Sequence, residues 1–373
     1  MKILISPNGF KNSLTCFEAC EAILEGFKKT YKDGLYLTYP IADGGEGTCE
    51  ILTKYSNGKY YSKEITFCDL TKRVAKYGFD KLNKIAFIES SEAVGIIHIK
   101  KEKLNPLKMT SFGLGELVLS AIDKGAKTIV IGIGGTCTND GGMGLLSSLG
   151  IKFYHDETLL DGKGENLIKI NKISLDGLNP KVRDVAFVIA SDVDNTLCGD
   201  KGATYCYGKQ KGANEQMLDL LEKGMINFAS QSKKILNKDL ISIVGGGSGG
   251  GLGAGICSYL NAKIVSGFDY IESYINIEEK IKNVDVVITG EGKIDEQTLH
   301  GKGPYKIASL AKKYNKYVIA FCGICKVKTS LFDKVYPLCE KETTDFSNSY
   351  NKLVDISYSA SKDLKENNNE IDS

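Results

Sequence analysis

The sequence predicts an α/β protein with two domains, and three observations lead to this prediction. The chain has 373 residues, which exceeds the size at which a single hydrophobic core usually stops growing. Short runs of β-branched and aliphatic residues alternate with segments of helical periodicity. Several of these runs end in glycine, asparagine or aspartate just before a helical segment, which is where α/β folds bind ligands.

The expected strands combine β-branched or aliphatic residues with flanking turn residues. They are residues 2–5, 35–39, 85–88, 128–133, 185–190, 241–244, 284–289 and 317–321. Helices are expected where apolar residues recur at helical spacing, at residues 17–27, 115–122 and 217–228. The first helix follows Ser13 and Thr15, which are both typical N-cap residues. Because strands and helices alternate, the strands should be mostly parallel.

The composition is that of an ordinary globular protein, with 42% hydrophobic and 25% charged residues. A formal net charge of +2 creates no long-range field that would attract nucleic acid or an anionic membrane, so neither is expected as a partner. The eleven cysteines lack a repeated spacing and fit a chain kept reduced. No segment is long and apolar enough for a signal peptide or a membrane span, so we expect a soluble cytoplasmic protein, either monomer or homodimer.

A glycine-rich loop at residues 132–144 follows a predicted strand and precedes a helical segment. Glycines let backbone N–H groups approach phosphate oxygens, and a helix N-terminus favours an anion. A tight structural turn would explain the same glycines. The loop does not match a dinucleotide fingerprint, because Cys137 stands where the third glycine belongs, and the chain contains no Gly-x-x-x-x-Gly-Lys-Ser/Thr sequence. A phosphate site here must therefore use another arrangement.

A second glycine-rich stretch occupies residues 245–255. Alone, it would be typical of a flexible linker. It lies between a predicted strand and a helix, however, so we expect a loop whose backbone closely approaches a ligand or another chain segment.

Two further loops carry pairs of carboxylates. Asp43 and Glu46 belong to the sequence Asp-Gly-Gly-Glu-Gly-Thr at residues 43–48, between a strand and a helix. Asp192 and Asp194 follow another predicted strand, and their oxygens could hold Mg2+. A helix cap at the first loop and an Asx turn at the second would explain the same residues without a ligand.

The densest group of ionisable residues lies at residues 289–302, directly after an apolar strand. Its polar members are Glu291, Lys293, Asp295, Thr298, His300 and Lys302. Phosphoryl transfer needs cations at the transferred group, an acid that orients or deprotonates the attacking hydroxyl, and Mg2+ between phosphates. This loop offers several of those parts. Lys11, soon after the first strand, could reach a phosphate or a substrate carboxylate, although a solvated lysine is the alternative.

Taken in order, these loops resemble those of the bacterial glycerate kinase type 1 family, from residue 1 to about residue 337. The matching segments are residues 42–48, 105–106, 110, 113–116, 132–135, 138–142, 192–195, 210–213 (Gln-Lys-Gly-Ala), 250–253, 288–292, 295 and 297–302. The resemblance implies a flavodoxin-like (Rossmann-like) parallel-sheet domain, at residues 1–64 and 281–373. A second α/β domain, at residues 65–280, is expected to be inserted into it.

The resemblance also implies an activity, the ATP-dependent phosphorylation of D-glycerate in the interdomain cleft, with 2-phosphoglycerate favoured as product. Residues expected to bind ATP phosphates are Gly134, Gly135, Thr138, Asn139, Gly250, Gly251 and Gly253. Those expected to hold Mg2+ are Asp192, Asp194 and Glu291. Expected catalytic residues are Lys11, Asp43 and Asp295, and expected glycerate-binding residues are Lys11, Asp43, Glu46, Thr298, His300 and Lys302.

The first loop departs from the family pattern. Where the family usually has Pro-Asp-Ser-Phe-Lys-Gly-Ser, residues 7–13 are Pro-Asn-Gly-Phe-Lys-Asn-Ser, so an acid is lost at Asn8. A kinase for another small hydroxy acid therefore remains an alternative. A non-catalytic sugar-acid-binding relative is another, but an anion binder would gain nothing from clustered carboxylates at 192, 194, 291 and 295.

Overall fold

A computed structural model describes residues 1–11, 13–299, 301–341 and 345–371. In chain order the strands are β1 Lys2–Ile5, β2 Leu35–Thr38, β3 Lys59–Thr66, β4 Lys72–Asp80, β5 Ile85–Glu89, β6 Thr128–Gly132, β7 Lys152–His155, β8 Thr158–Leu159, β9 Lys172–Ser174, β10 Ala186–Ala190, β11 Lys263–Val265, β12 Val286–Ile294, β13 Tyr317–Cys325 and β14 Lys334–Pro337.

The α-helices are α1 Cys16–Lys28, α2 Thr48–Tyr55, α3 Ser91–Val94, α4 Phe112–Asp123, α5 Met143–Ser148, α6 Ala203–Tyr207, α7 Glu215–Leu236, α8 Ser248–Leu260, α9 Gly267–Ile275, α10 Ile277–Lys282, α11 Glu296–Leu299, α12 Gly303–Lys313 and α13 Ser349–Ile371. Short 3₁₀ helices occupy Ile96–His98, Lys101–Lys103, Gly164–Lys169, Pro180–Asp184 and Lys209–Lys211. Within the described residues, no helix has the length and apolar character needed to cross a membrane.

The chain forms two compact units, a smaller one of Met1–Asp43 with Phe268–Ser373 and a larger one of Gly44–Gly267. The boundaries therefore differ from the expected ones near residues 65 and 280. Residues 44–64 lie in the larger unit because β3 pairs with β4 along its whole length. Residues 268–280 lie in the smaller unit, where Asp269 accepts a 2.9 Å hydrogen bond from Lys306 of α12.

The smaller unit contains a five-stranded sheet in the order β2-β1-β12-β13-β14, and all neighbouring strands are parallel. Numbered within the unit, this is the order 2-1-3-4-5 of flavodoxin-like folds, so the predicted fold class is confirmed. Helix α1 begins where the sequence predicted it. Thr15 accepts a hydrogen bond from the Glu18 backbone N–H at 3.2 Å, and Glu18 accepts one from the Thr15 N–H at 2.8 Å.

The larger unit contains a six-stranded sheet in the order β11-β10-β6-β5-β4-β3. Its first four strands are parallel, and β4 and β3 add an antiparallel edge. The central strand β6 contributes Ile129, Val130 and Ile131, all buried, as expected for a parallel strand covered on both faces. This arrangement brings the carboxyl ends of β5, β6 and β10 to one edge of the sheet.

One predicted strand is wrong. Residues 241–244 form turns, because Asp239 accepts a hydrogen bond from the Ile241 backbone N–H at 3.2 Å and starts an Asx turn. Val244, which a buried strand would enclose, is 68% exposed. The other seven predicted strands are present, with ends that differ by up to five residues.

Candidate functional site

The loops that follow β5, β6 and β10 meet in the larger unit. Glu89 and Ala190, at the ends of β5 and β10, both pair in register with Gly132 of β6. The chain at Gly44 lies against them: a Cβ added there would lie 2.4 Å from the Ala190 carbonyl oxygen, and the Gly44 φ is +85°. Only glycine permits both the close approach and this backbone conformation. The glycines of residues 43–48 thus allow this loop to pack closely against the end of β10.

The glycine loop after β6 has an exposed tip and a buried remainder. Gly135 is exposed, with a φ of +59°, and a Cβ added there would meet no atom within 4 Å. Its carbonyl oxygen accepts a 2.8 Å hydrogen bond from Ile96. The backbone N–H groups of Gly135, Thr136 and Thr138 donate to no acceptor in the described chain. Unpaired N–H groups on a glycine loop suit phosphate oxygens, so the tip fits a nucleotide phosphate.

Asp140 holds the second half of this loop. Its buried carboxylate accepts hydrogen bonds from Ser111 N–H and Oγ, both at 2.7 Å, and from the N–H groups of Gly142 at 3.0 Å and Gly144 at 3.3 Å. Burial raises the pKa of Asp140, and these hydrogen bonds oppose that shift. Asp140 therefore has a structural role, fixing the start of α5.

Thr138 and Asn139, expected at the phosphates, have fully buried side chains. Asn139 donates to Thr204 Oγ1 at 3.1 Å. Within the described residues, Thr138 Oγ1 and Asn139 Oδ1 have no hydrogen-bond partner.

Lys211 is a functional candidate that the sequence analysis did not identify. Its side chain is buried, and its Nζ donates to Thr136 Oγ1 at 3.1 Å and to the Thr138 carbonyl oxygen at 2.7 Å. Burial lowers the pKa of Lys211 to about 8, against the opposing effects of Cys137 and Asp140. Its only sequence signal was the Gln-Lys-Gly-Ala match at residues 210–213.

The second glycine stretch packs against the first. Gly249, Gly250 and Gly251 have φ values of +62°, +72° and +90° at the start of α8. A Cβ at Gly250 would lie 2.1 Å from the Thr138 carbonyl oxygen, and one at Gly251 would lie 2.8 Å from the Gly141 Cα. Gly250, Gly251 and Gly253 are buried. Because they have no Cβ, they leave room for a neighbouring chain segment.

Asp192 and Asp194 lie on the exposed loop that follows β10. The Asp194 carbonyl oxygen accepts a hydrogen bond from the Gly245 N–H at 3.2 Å, which ties this loop to the second glycine stretch. No group of three or more metal-binding side chains occurs in the part of the chain that the structure describes. Mg2+ commonly takes one or two carboxylates and completes its shell with phosphate oxygens and water. The donor chemistry of this carboxylate pair fits Mg2+ in that mode.

Glu89 is a second candidate that was not predicted from the sequence. It is 9% exposed, and it accepts hydrogen bonds from the Cys49 N–H at 3.4 Å and from Ser91 Oγ at 3.1 Å. Cys49 lies in the first turn of α2, whose N-cap Gly47 has no side chain to cap it. Burial raises the pKa of Glu89 to about 7, and the nearby Glu46 adds to the shift. Glu89 therefore fixes the helix that follows residues 43–48.

The smaller unit groups six of the expected residues around β12: Lys11, Asp43, Glu291, Asp295, Thr298 and Lys302. Glu291 is 7% exposed and accepts a 2.6 Å hydrogen bond from Thr298 Oγ1. Lys302 Nζ lies 4.0 Å from its other oxygen. Burial raises the pKa of Glu291 to about 7, and Asp43 and Asp295 contribute because they are nearby negative charges. A carboxyl with this pKa can exchange a proton near neutral pH.

The loop after β1 packs against the same strand. A Cβ added at Gly292 would lie 3.2 Å from the Lys11 backbone nitrogen, while the Lys11 side chain is exposed. Asn8 is buried, and its Oδ1 accepts a 2.7 Å hydrogen bond from the Gly9 N–H. Glu46, expected with glycerate, is exposed in the larger unit. His300 lies outside the described residues.

The comparisons with known proteins agree on one family. A model of the glycerate kinase family matches residues 3–370. The glycerate 2-kinase of Escherichia coli (strain K12) is 40% identical over 324 residues, covering 87% of this chain and 85% of that protein. The glycerate kinase of Bacillus subtilis (strain 168) is also 40% identical over 324 residues, with the same shares covered.

A solved structure is also similar. The crystal structure described as "putative glycerate kinase 2 from Salmonella typhimurium LT2" superimposes with a TM-score of 0.82 at 34% sequence identity. The similarity covers 99% of both chains.

Proposed function

The chain belongs to the glycerate kinase family, and from this premise we propose that it transfers the γ-phosphate of ATP to a hydroxyl of D-glycerate. The observation that carries the proposal is the family match over residues 3–370, because it includes every loop described above. The 2-hydroxyl is the proposed acceptor, by analogy with the Escherichia coli relative named glycerate 2-kinase. A cytosolic location is part of the proposal, supported by the eleven cysteines, which are free thiols.

ATP phosphates would bind at the tip of the glycine loop in the larger unit. The unpaired N–H groups of Gly135 and Thr136 are the donors, and half-buried Gly134 shares the tip. The expected phosphate ligands at 138, 139, 250, 251 and 253 would act indirectly, by keeping that loop in shape. Asp192 and Asp194 would hold Mg2+, which when bound neutralises negative charge on the phosphates.

Glycerate would bind to the polar group of the smaller unit. Lys11 and Lys302 are the cations available to its carboxylate, and Asp43 and Asp295 would orient the hydroxyls. Glu291, which the sequence analysis assigned to Mg2+, would accept the hydroxyl proton, because a pKa of about 7 leaves much of it ionised at neutral pH.

Initial rates of ADP release test this function. The purified protein should release ADP with D-glycerate and Mg-ATP far faster than with either L-glycerate or no acceptor. Equal rates in all three reactions would refute the kinase assignment.

A kinase for a different small hydroxy acid is the second candidate, and the buried amide of Asn8 favours it. A neutral side chain stands where the family has an acid, and its oxygen already accepts a hydrogen bond from Gly9. A panel of small hydroxy acids in the same assay separates the candidates. A higher kcat/KM for another acid than for D-glycerate would favour the second.

A further inference from the structure

The ammonium of Lys211 lies buried between the two glycine-rich stretches of the larger unit. It is 2% exposed and contacts the first stretch through Thr136 Oγ1 and the Thr138 carbonyl oxygen. Gly250 of the second stretch is also close, because an added Cβ there would lie 2.9 Å from Nζ. The ammonium is therefore bonded to the first stretch and lies beside the second.

This cation lacks an ionic partner. None of the carboxylates described in the structure lies within ion-pair distance of Lys211 Nζ, and only two acceptors receive its three protons. Asp140, the nearest acid of the loop, is fully engaged with Ser111 and the N–H groups of Gly142 and Gly144. The positive charge of Lys211 is thus buried without a directly paired carboxylate.

Stability alone does not explain such a residue. Taking an ammonium out of water is unfavourable, and replacing a buried charge with an apolar side chain of similar size is often neutral or stabilising. A buried cation that has no ion-pair partner and lies beside a ligand loop is instead typical of a functional site. Its lowered pKa is consistent with that environment.

The loop itself has no cation of its own. Residues 132–144 contain neither lysine nor arginine, whereas the Walker type of phosphate loop includes a lysine. A charge buried in a medium of low dielectric is weakly screened, so its potential extends to the loop surface.

We propose that Lys211 is a positioning residue for the phosphates of ATP. Its ammonium binds Thr136 and the Thr138 carbonyl oxygen on the protein side of the loop, which keeps the unpaired N–H groups of Gly135 and Thr136 available to the ligand, and it supplies the positive charge that the loop lacks. The inference rests on the proposed function, since it assumes that this loop binds ATP.

Calorimetric titration of the full-length protein with ATP and with adenosine tests the inference. Lys211→Met should lower the affinity for ATP roughly tenfold or more, because it removes a charge and two charge-assisted hydrogen bonds. Adenosine has no phosphates, so its affinity should stay within about twofold, and the melting temperature should not fall. Lys209→Met is the matched control: Lys209 is two residues away, 67% exposed and paired with Glu215, and its loss should change neither affinity.

Three results would overturn the inference. One is a Lys211→Met protein that binds ATP as the wild type does. Another is an equal loss of affinity for ATP and adenosine together with a lower melting temperature.

If Lys211→Met does not fold, Thr136→Val takes its place, because it removes one acceptor of the ammonium and keeps the charge. It should lower the affinity for ATP severalfold without changing the affinity for adenosine. An unchanged affinity for ATP is the third result that would overturn the inference. A wild-type protein that binds no ATP would instead refute the proposed function, and the inference with it.

Discussion

Replacing Gly135 with alanine places a methyl group at the exposed tip of the proposed phosphate loop. The added Cβ would meet no protein atom within 4 Å, so the folded structure can accept it without a clash. The same methyl group would occupy the space through which a phosphate approaches the unpaired N–H groups of Gly135 and Thr136. We therefore expect a selective loss of ATP affinity, of about tenfold or more.

The cost to folding can be worked out from the backbone. With a φ of +59°, Gly135 is in the left-handed region, where alanine is less stable by about 1–2 kcal/mol. For a unit of this size, each kcal/mol lowers the melting temperature by about 2–4 °C. The variant should therefore stay folded at assay temperature.

Gly125→Ala is the matched control. Gly125 precedes β6 at the opposite end of the strand, and an added Cβ would also meet nothing within 4 Å. Its φ of +101° is further from the value near +57° that alanine prefers there, so its folding cost should be at least as large.

The assay combines melting temperature with calorimetric titration of ATP. We expect both variants to melt slightly below the wild type, and only Gly135→Ala to lose ATP affinity. If the two variants bind ATP equally well, the tip of this loop is a structural turn and the reasoning is refuted.

Three further predictions concern other residues. Asp192→Asn and Asp194→Asn should each raise the Mg2+ concentration needed for half-maximal turnover severalfold. Both variants should stay folded, since both residues are exposed. An unchanged Mg2+ dependence in both variants would remove these residues from the metal site. Lys11→Ala should raise the KM for glycerate with little change in kcat, because a residue that anchors the substrate carboxylate binds the ground state and the transition state alike. Wild-type kinetics in this variant would show that the loop after β1 has only a structural role. Burial raises the pKa of Glu89 to about 7, so the free energy of unfolding should fall between pH 4.5 and 7 as the folded protein retains a proton that the unfolded chain loses. Glu89→Gln should reduce that fall by up to about 3 kcal/mol in urea unfolding, and the same pH slope in both proteins would contradict this.

Much of the fold could be predicted from local sequence patterns. Apolar runs such as those of β1, β6 and β13 are interior strands of their sheets, where burial on both faces requires continuous hydrophobic sequence. The hairpin of β3 and β4 was missed because β3 lies at the edge of its sheet and is mostly exposed, and because the lysines of both strands weaken the apolar signal.

The site was predicted less completely. The rule that ligands bind beyond the carboxyl ends of parallel strands drew attention to the loops at 132–144 and 192–195, which follow the paired strands β6 and β10. It could not identify Lys211 or tell that Gly250 faces the Thr138 backbone, because both facts depend on distances between residues far apart in sequence. Glu89 was within reach of the rule, since it is an acid at the end of an apolar strand.

Phosphorus NMR of the reaction product tests the central claim most directly. Purified protein would be incubated with Mg-ATP and D-glycerate, and the spectrum recorded without proton decoupling. Transfer to the 2-hydroxyl predicts a new phosphomonoester signal split into a doublet by the single proton on C2, formed in the same amount as ADP. A triplet would place the phosphate on the 3-hydroxyl, and inorganic phosphate alone would contradict phosphoryl transfer to glycerate.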